Sequence, residues 1–351
     1  MNLLESMVAD DSEQVIALQN RAAGLRGFLA IHDTTLGPAL GGIRLWRYAN
    51  EDEAIEDVLR LSRAMTLKAA LAELPAGGGK TVLVDHPGLR RVEAFEALGC
   101  LIESLGGRYF SGPDVGVTGA DLDAVGRHTR YVALESAPGL GDISEMTAIG
   151  VWHGMRACLD FAGIRRAKVA IQGAGNVGLA LGRILRREGM EIVVADIDPE
   201  RARAAGEELG ARVVAPQEIL AADVAVLAPC ALGGAIDADV ARQLRARVVC
   251  GSANNVLATP DVADCLAERG IVYAPDYLVN AGGLIRGAEY YLLHRADSAP
   301  SLARIYDRMR NVLEMARERA VSTAAVAEEL ARARLTASKK FPQLTWRHPL
   351  C

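Results

Sequence analysis

The sequence predicts an α/β chain of two domains, one of them a doubly wound parallel sheet of the Rossmann type. Three observations carry this. At 351 residues, half of them hydrophobic, the chain is too long for one ordinary core and well supplied to build two. From about residue 168 onward short apolar strands alternate with helices, the pattern of βαβ units. Between the first such strand and its helix lies Gln172-Gly173-Ala-Gly175-Asn176-Val177-Gly178, a glycine-rich turn of the kind that cradles phosphate.

Taken in order, Gly27-Phe-Leu-Ala-Ile-His32 reads as a strand, and residues 51 to 74 read as a helix with Ile55, Val58, Leu59 and Leu61 on an apolar stripe. Met65 and Lys68, three apart, fall on one face of that helix. The turn-rich stretch from Ser136 to about residue 146 marks the domain boundary, giving a first domain of residues 1–140 and a second of 141–300. Strands are expected at 169–172, 192–195, 224–228 and 248–250, with a helix from Val177. In a sheet of this kind ligands bind at the carboxyl ends of the strands, where the segments beginning at Gly251 and Asn280 stand. The Ala, Arg and Glu-rich tail from Ser301 to Ala337 is helical and is expected to return to the first domain, which residues 301–351 complete.

The formal net charge of −5 gives no basic excess, so nucleic acid or an anionic membrane surface is not the expected partner. The N-terminal segment carries acids where a secretory signal needs cations, and no run reaches the roughly 20 apolar residues of a membrane span. The six cysteines form no CxxC pair and no cluster with the six histidines, which fits reduced thiols, a cytoplasmic location and no metal site.

In the glycine turn, Gly173 makes the bend, Gly175 lets a pyrophosphate approach the backbone, and Gly178 opens the helix whose N-terminus faces that charge. Asp196 ends the next strand, where a carboxylate accepts ribose hydroxyls and repels the extra phosphate of NADP; NAD is therefore the expected cofactor. The other cluster is Met65-Thr-Leu-Lys68 followed by Gly77-Gly78-Gly79-Lys80. It is not a P-loop, because the glycine that motif needs falls at Leu74. Read as a turn, the glycine run lets substrate approach beside Lys80, and two neighbouring ammonium groups depress each other's pKa, making one a base while the other holds a carboxylate. A basic substrate site joined to a redox cofactor site indicates a dehydrogenase.

Gly37-Pro-Ala-Leu40-Gly41-Gly42-Ile-Arg44, the Met65–Lys80 segment, Gly112-Pro-Asp114-Val-Gly116, Thr147-Ala-Ile-Gly150, the glycine turn, Ala228-Pro-Cys230-Ala-Leu-Gly, Gly251-Ser-Ala-Asn254-Asn255 and Ala274-Pro-Asp-Tyr-Leu-Val-Asn280-Ala-Gly-Gly283 together resemble the Glu/Leu/Phe/Val amino-acid dehydrogenases. The resemblance covers almost the whole chain. It implies that the first domain binds substrate and drives homo-oligomerisation, that the second binds NAD, and that a cleft separates them and closes in turnover. It implies Lys68 for the substrate α-carboxylate, Lys80 as the base that activates water and Asp114 as a proton shuttle, with Gly41, Gly42 and Asn280 also on the substrate side. It assigns Thr147, Ala228, Cys230 and Asn255 to the cofactor. The implied reaction is reversible oxidative deamination of an L-amino acid to a 2-oxo acid and ammonia.

The glutamate enzymes of that family carry a lysine and a serine for the side-chain carboxylate at positions that here are Leu40 and Gly287. An unpaired buried carboxylate is costly, so an apolar substrate is expected, lined by Leu40, Met65, Gly112, Leu284 and Gly287. Gly112 and Leu284 resemble the phenylalanine enzymes; leucine, valine and phenylalanine stay open. The alternatives are a tryptophan-type or biosynthetic relative on the same scaffold, a 2-hydroxy-acid dehydrogenase, whose histidine base has no counterpart in a glycine-rich block here, and a catalytically silent NAD-binding regulator.

Overall fold

The computed structural model describes residues 2–134 and 136–339, which form two compact units. The first takes the chain to Gly141, then Tyr290–His294 and the residues from Ala331; the second holds Asp142–Glu289 and Arg295–Leu330.

In the first unit α1 (Leu3–Asp10) leads to β1 (Gln14–Asn20), β2 (Leu25–Asp33), β3 (Ala39–Leu40) and β4 (Ile43–Trp46). Then come α2 (Glu51–Leu71), β5 (Gly77–Val84), α3 (Arg91–Ser104), β6 (Tyr109–Phe110) and α4 (Gly119–Gly126). The sheet order is β1-β2-β5-β3-β6 with β4 also on β5; β1, β2 and β5 run antiparallel, and β3 and β4 lie parallel to β5. Side chains alternate across it. Phe28, Ala30 and Val82 meet Ala54, Ile55, Val58 and Leu59 of α2, while Leu29, Ile31 and Leu83 meet Phe95 and Leu98 of α3 and Leu122 of α4. Helix α2 starts where the Asn50 side chain accepts the Glu53 N–H (3.0 Å) and the Glu53 carboxylate accepts the Ala49 N–H (2.9 Å). Ile55, Val58, Leu59 and Leu61 are all buried.

The second unit opens with α5 (Ile143–Phe161), capped by Asp142, and β7 (Lys168–Gln172). It continues through α6 (Asn176–Arg187), β8 (Glu191–Ala195), α7 (Pro199–Leu209), β9 (Arg212–Val213), β10 (Val226–Pro229), α8 (Ala238–Gln243), β11 (Val248–Val249), α9 (Val262–Glu268) and β12 (Val272–Tyr273). Next are α10 (Asp276–Val279), α11 (Gly282–Tyr291), α12 (Ala299–Arg319) and α13 (Thr323–Lys339). The sheet is parallel throughout, in the order β12-β11-β10-β7-β8-β9. That is the doubly wound dinucleotide order, with its switch point between β7 and β10.

The helical tail is two helices, broken at Ala320, whose φ of 53° is left-handed. The return to the first unit begins at Ala331 rather than near residue 301: α12 packs on α5, and Arg334 then donates to the carbonyls of Ala70 (3.3 Å) and Leu74 (3.5 Å). Among the described residues no helix is long and apolar enough to cross a membrane, and no group of three His, Cys, Asp or Glu side chains is placed to hold a metal.

Candidate active site

The glycine run sits at the start of β5 and is extended strand, not a turn. A Cβ on Gly77 would stand 1.8 Å from the Asp33 carbonyl oxygen, on Gly78 2.1 Å from the Thr66 nitrogen of α2, and on Gly79 2.9 Å from the Tyr109 ring. The room these glycines leave is therefore taken by the protein itself, which corrects the reading that it serves substrate. Alternation along β5 puts Lys80 on the same face as Gly78 and Val82, beneath α2, whose half-buried Met65 and Lys68 lie near its C-terminal end. Lys80 is itself buried.

Asp114 reaches Lys80 from the loop after β6. That loop lies along β4, where Ile43 N–H donates to the Gly112 carbonyl (2.9 Å) and Leu45 N–H to that of Val115 (3.0 Å). Glycine is needed beside it: a Cβ on Gly42 would fall 2.5 Å from the Pro113 carbonyl oxygen and 3.0 Å from Asp114 Cβ, and one on Gly41 1.7 Å from the Gly79 oxygen. The result is a salt bridge of 3.0 Å between Lys80 Nζ and Asp114 Oδ2.

The charges continue past this pair. Arg44 Nε donates to the same Asp114 Oδ2 (2.8 Å) and its Nη1 to Asp57 Oδ2 (3.0 Å), which also accepts Tyr48 OH (2.7 Å), while Arg60 donates to Asp57 Oδ1 (2.6 Å). Burial lowers the Lys80 pKa; Asp114 opposes this and Arg44 assists it. The depression expected from a second ammonium thus comes first from desolvation, with a guanidinium as the assisting cation. Burial pushes the Asp114 carboxyl up, but Lys80 and Arg44 outweigh it and hold the group below the usual carboxylate range. Sequence reasoning gave Arg44, Asp57, Tyr48 and Arg60 no role. A signal was available for Arg44: its neighbours Ile43 and Leu45 are apolar, so strand alternation turns Arg44 to the Lys80 face, in register with Val82.

In the second unit the turn after β7 is tight at its base. Gly173 has φ of 100°, a Cβ on Gly178 would meet the Gly173 oxygen at 2.1 Å, and a Cβ on Gly175 would meet nothing within 4 Å, leaving the mouth of the turn open. Asn176 and Val177 begin α6 there. Asp196 Oδ2 accepts the Ala174 N–H (2.8 Å) and its Oδ1 the Asp198 N–H (2.9 Å), so the carboxylate expected to face ribose also ties down the turn. Across the switch point, Ala228 is buried in β10, and Cys230, whose thiol burial pushes up, backs Gly173 and Gly178. Thr147 on α5 donates to its own Ile143 carbonyl (2.9 Å), and Asn255 is a turn residue with φ of 52°. Asn280 is buried; its Nδ2 donates to the Ser252 carbonyl (3.1 Å) and Asn254 Oδ1 (2.9 Å), and its Oδ1 has no partner.

The candidate pocket residues divide between the units. Leu40 in β3 pairs with Gly78, and a Cβ on the buried Gly112 would meet only the Ala133 methyl, at 3.6 Å. Leu284 is half-buried on α11, where a Cβ on Gly287 would meet nothing within 4 Å.

Residues 12–136 match the Glu/Leu/Phe/Val dehydrogenase dimerisation domain, and residues 194–338 match Glutamate/Leucine/Phenylalanine/Valine dehydrogenase. The leucine dehydrogenase of Geobacillus stearothermophilus is 43% identical over 348 residues, covering 97% of this chain and 95% of that one. The chain belongs to the Glu/Leu/Phe/Val dehydrogenase family. Within that family the valine dehydrogenase of Streptomyces virginiae is 42% identical over 335 residues, with 92% and 94% of the two chains covered. The crystal structure of L-tryptophan dehydrogenase from Nostoc punctiforme superimposes with a TM-score of 0.83 at 37% identity, over 96% of this chain and 100% of that one. This member of the Glu/Leu/Phe/Val dehydrogenases is an amino-acid dehydrogenase, an oxidoreductase of CH–NH2 donors.

Proposed function

We propose that the chain catalyses the NAD-dependent, reversible oxidative deamination of an apolar L-amino acid to its 2-oxo acid and ammonia. The observation that carries the reading is the buried Lys80–Asp114 pair, 3.0 Å apart, beside the helix that bears Lys68. Bound NAD, held by the Gly173–Gly178 turn and Asp196, supplies the hydride acceptor. Lys68 neutralises the α-carboxylate and orients the α-carbon. Lys80, its charge disfavoured by burial, takes a proton from water as that water attacks the iminium carbon. Asp114 carries a proton between Lys80 and the amine so that ammonia can leave.

Leu40 and Gly287, neither able to pair with a carboxylate, support an apolar side chain, in keeping with the leucine and valine dehydrogenases among the relatives. A second reading, an aromatic substrate, is favoured by the space at Gly112 and Gly287 and by the tryptophan dehydrogenase relative. Asp196 supports NAD over NADP. The match of residues 12–136 to a dimerisation domain supports homo-oligomers built through the first unit, and a cytoplasmic enzyme fits the free cysteines. The test follows absorbance of the reduced nicotinamide with NAD or NADP and a panel of L-amino acids. An apolar amino acid should give the highest kcat/KM with NAD, and Lys80→Ala should abolish it. Glutamate as best substrate, or full activity in Lys80→Ala, overturns the reading.

A further inference from the structure

The charge network behind the catalytic pair extends away from the reacting groups and ends at the surface. Asp114 Oδ2 receives two donors, Lys80 Nζ at 3.0 Å and Arg44 Nε at 2.8 Å, and among the described residues Oδ1 receives none. The two contacts therefore fix which carboxylate oxygen faces Lys80 and leave the other for a reacting group. Arg44 cannot hold that position alone. Its planar fork is itself aimed by Asp57, which takes Nη1 at 3.0 Å while Tyr48 and Arg60 fill the rest of that carboxylate. Arg44 and Asp57 are 18% and 13% exposed, so the bond between them is poorly screened.

We infer that Arg44 and Asp57 are positioning residues, a two-residue brace that sets the rotamer of Asp114 and thereby the reach of its proton shuttle. The inference rests on the catalytic roles proposed for Lys80 and Asp114. A guanidinium is required because it bonds one carboxylate through Nε and a second through Nη1 at the same time; an ammonium in its place carries the charge without that two-ended geometry.

The experiment measures kcat and KM for the preferred amino acid, and NAD affinity by fluorescence, in Arg44→Lys, Arg44→Gln, Asp57→Asn and Tyr48→Phe, beside Asp114→Asn. With the brace removed, Asp114 is displaced by a fraction of an ångström to an ångström, and kcat should fall by about 10²-fold while NAD affinity holds within twofold. Arg44→Lys should be nearly as impaired as Arg44→Gln, and Asp57→Asn should follow them although it leaves Lys80 and Asp114 intact. Tyr48→Phe, which removes one hydrogen bond and no charge, should lose a few-fold in kcat and serves if the others fail to fold. If Arg44→Lys and Asp57→Asn keep wild-type kcat while Asp114→Asn is inactive, the brace is refuted and the catalytic pair survives. If Asp114→Asn is fully active, the functional reading itself has failed.

Discussion

Replacing Gly78 by alanine tests how closely the catalytic geometry depends on bare backbone. The added methyl carbon would lie 2.1 Å from the Thr66 nitrogen, 2.3 Å from its Oγ1 and 2.6 Å from the Ser62 carbonyl oxygen, where ordinary contact begins at 3.4 Å. The nearest atom is main chain of α2, so no rotamer change relieves the clash and helix and strand must separate by over an ångström. Overpacking of this kind costs about 1–3 kcal/mol, and a main-chain clash belongs at the upper end. For a unit of this size that lowers Tm by about 6–12 °C. The same shift carries Lys68 and Asp57 away from β5, and a misplacement near 1 Å costs about 10²-fold in kcat/KM. Thermal unfolding by circular dichroism and the nicotinamide assay read the two effects. Gly112→Ala is the control: its methyl would meet only another methyl, at 3.6 Å, and should change stability by about 1 kcal/mol or less. A Gly78→Ala enzyme that melts and turns over like the wild type would show that α2 does not rest on this glycine.

Three further outcomes are expected. In the folded chain burial makes Lys80 lose its proton below the ordinary lysine value of 10.5, so between the two values the unfolded chain binds more protons and stability rises with pH. Lys80→Met should flatten that rise in urea midpoints; an unchanged slope counts against a depressed lysine. Asp114 works at the other end, its contribution full above the carboxylate range and lost as pH falls through its own lowered value, a loss that Asp114→Asn should remove. Asp196→Ala should weaken NAD by about 10-fold or more, because the Ala174 N–H loses its acceptor, and should narrow the preference for NAD over NADP; unchanged NAD affinity would refute the anchoring role. The pair Leu40→Lys and Gly287→Ser should raise kcat/KM for glutamate at least about 10-fold and lower it for leucine, and no gain for glutamate would remove these positions from the specificity argument.

The second unit was largely legible because its central strands β7, β8, β10 and β11 are mostly buried apolar runs and α6 is amphipathic, so each announces itself locally. The strands expected at 169–172, 192–195, 224–228 and 248–250 correspond to β7, β8, β10 and β11 within two residues at either end. The first unit was legible only in part: the strand expected over Gly27–His32 and the helix over 51–74 correspond to β2 and α2. Strands β3 and β6 are two residues long and carry no period, and the order in which they pair with β5 is set by tertiary contacts. Lys80 and Asp114, 34 positions apart, could be joined only through the family resemblance, and the structure brings them together. The meaning of the glycines could not be read locally, since the atoms they accommodate belong to Asp33, Thr66 and Tyr109. For the same reason a brace spanning Arg44, Asp57 and Asp114 leaves no mark in a linear string.

The amide of Asn280 leaves an unsatisfied acceptor inside the second unit. With its nitrogen already committed to Ser252 and Asn254, its oxygen is buried and, among the described residues, accepts no hydrogen bond. A buried acceptor left without a donor costs about 1–3 kcal/mol, a cost that only a hydrogen-bearing group brought to it would relieve.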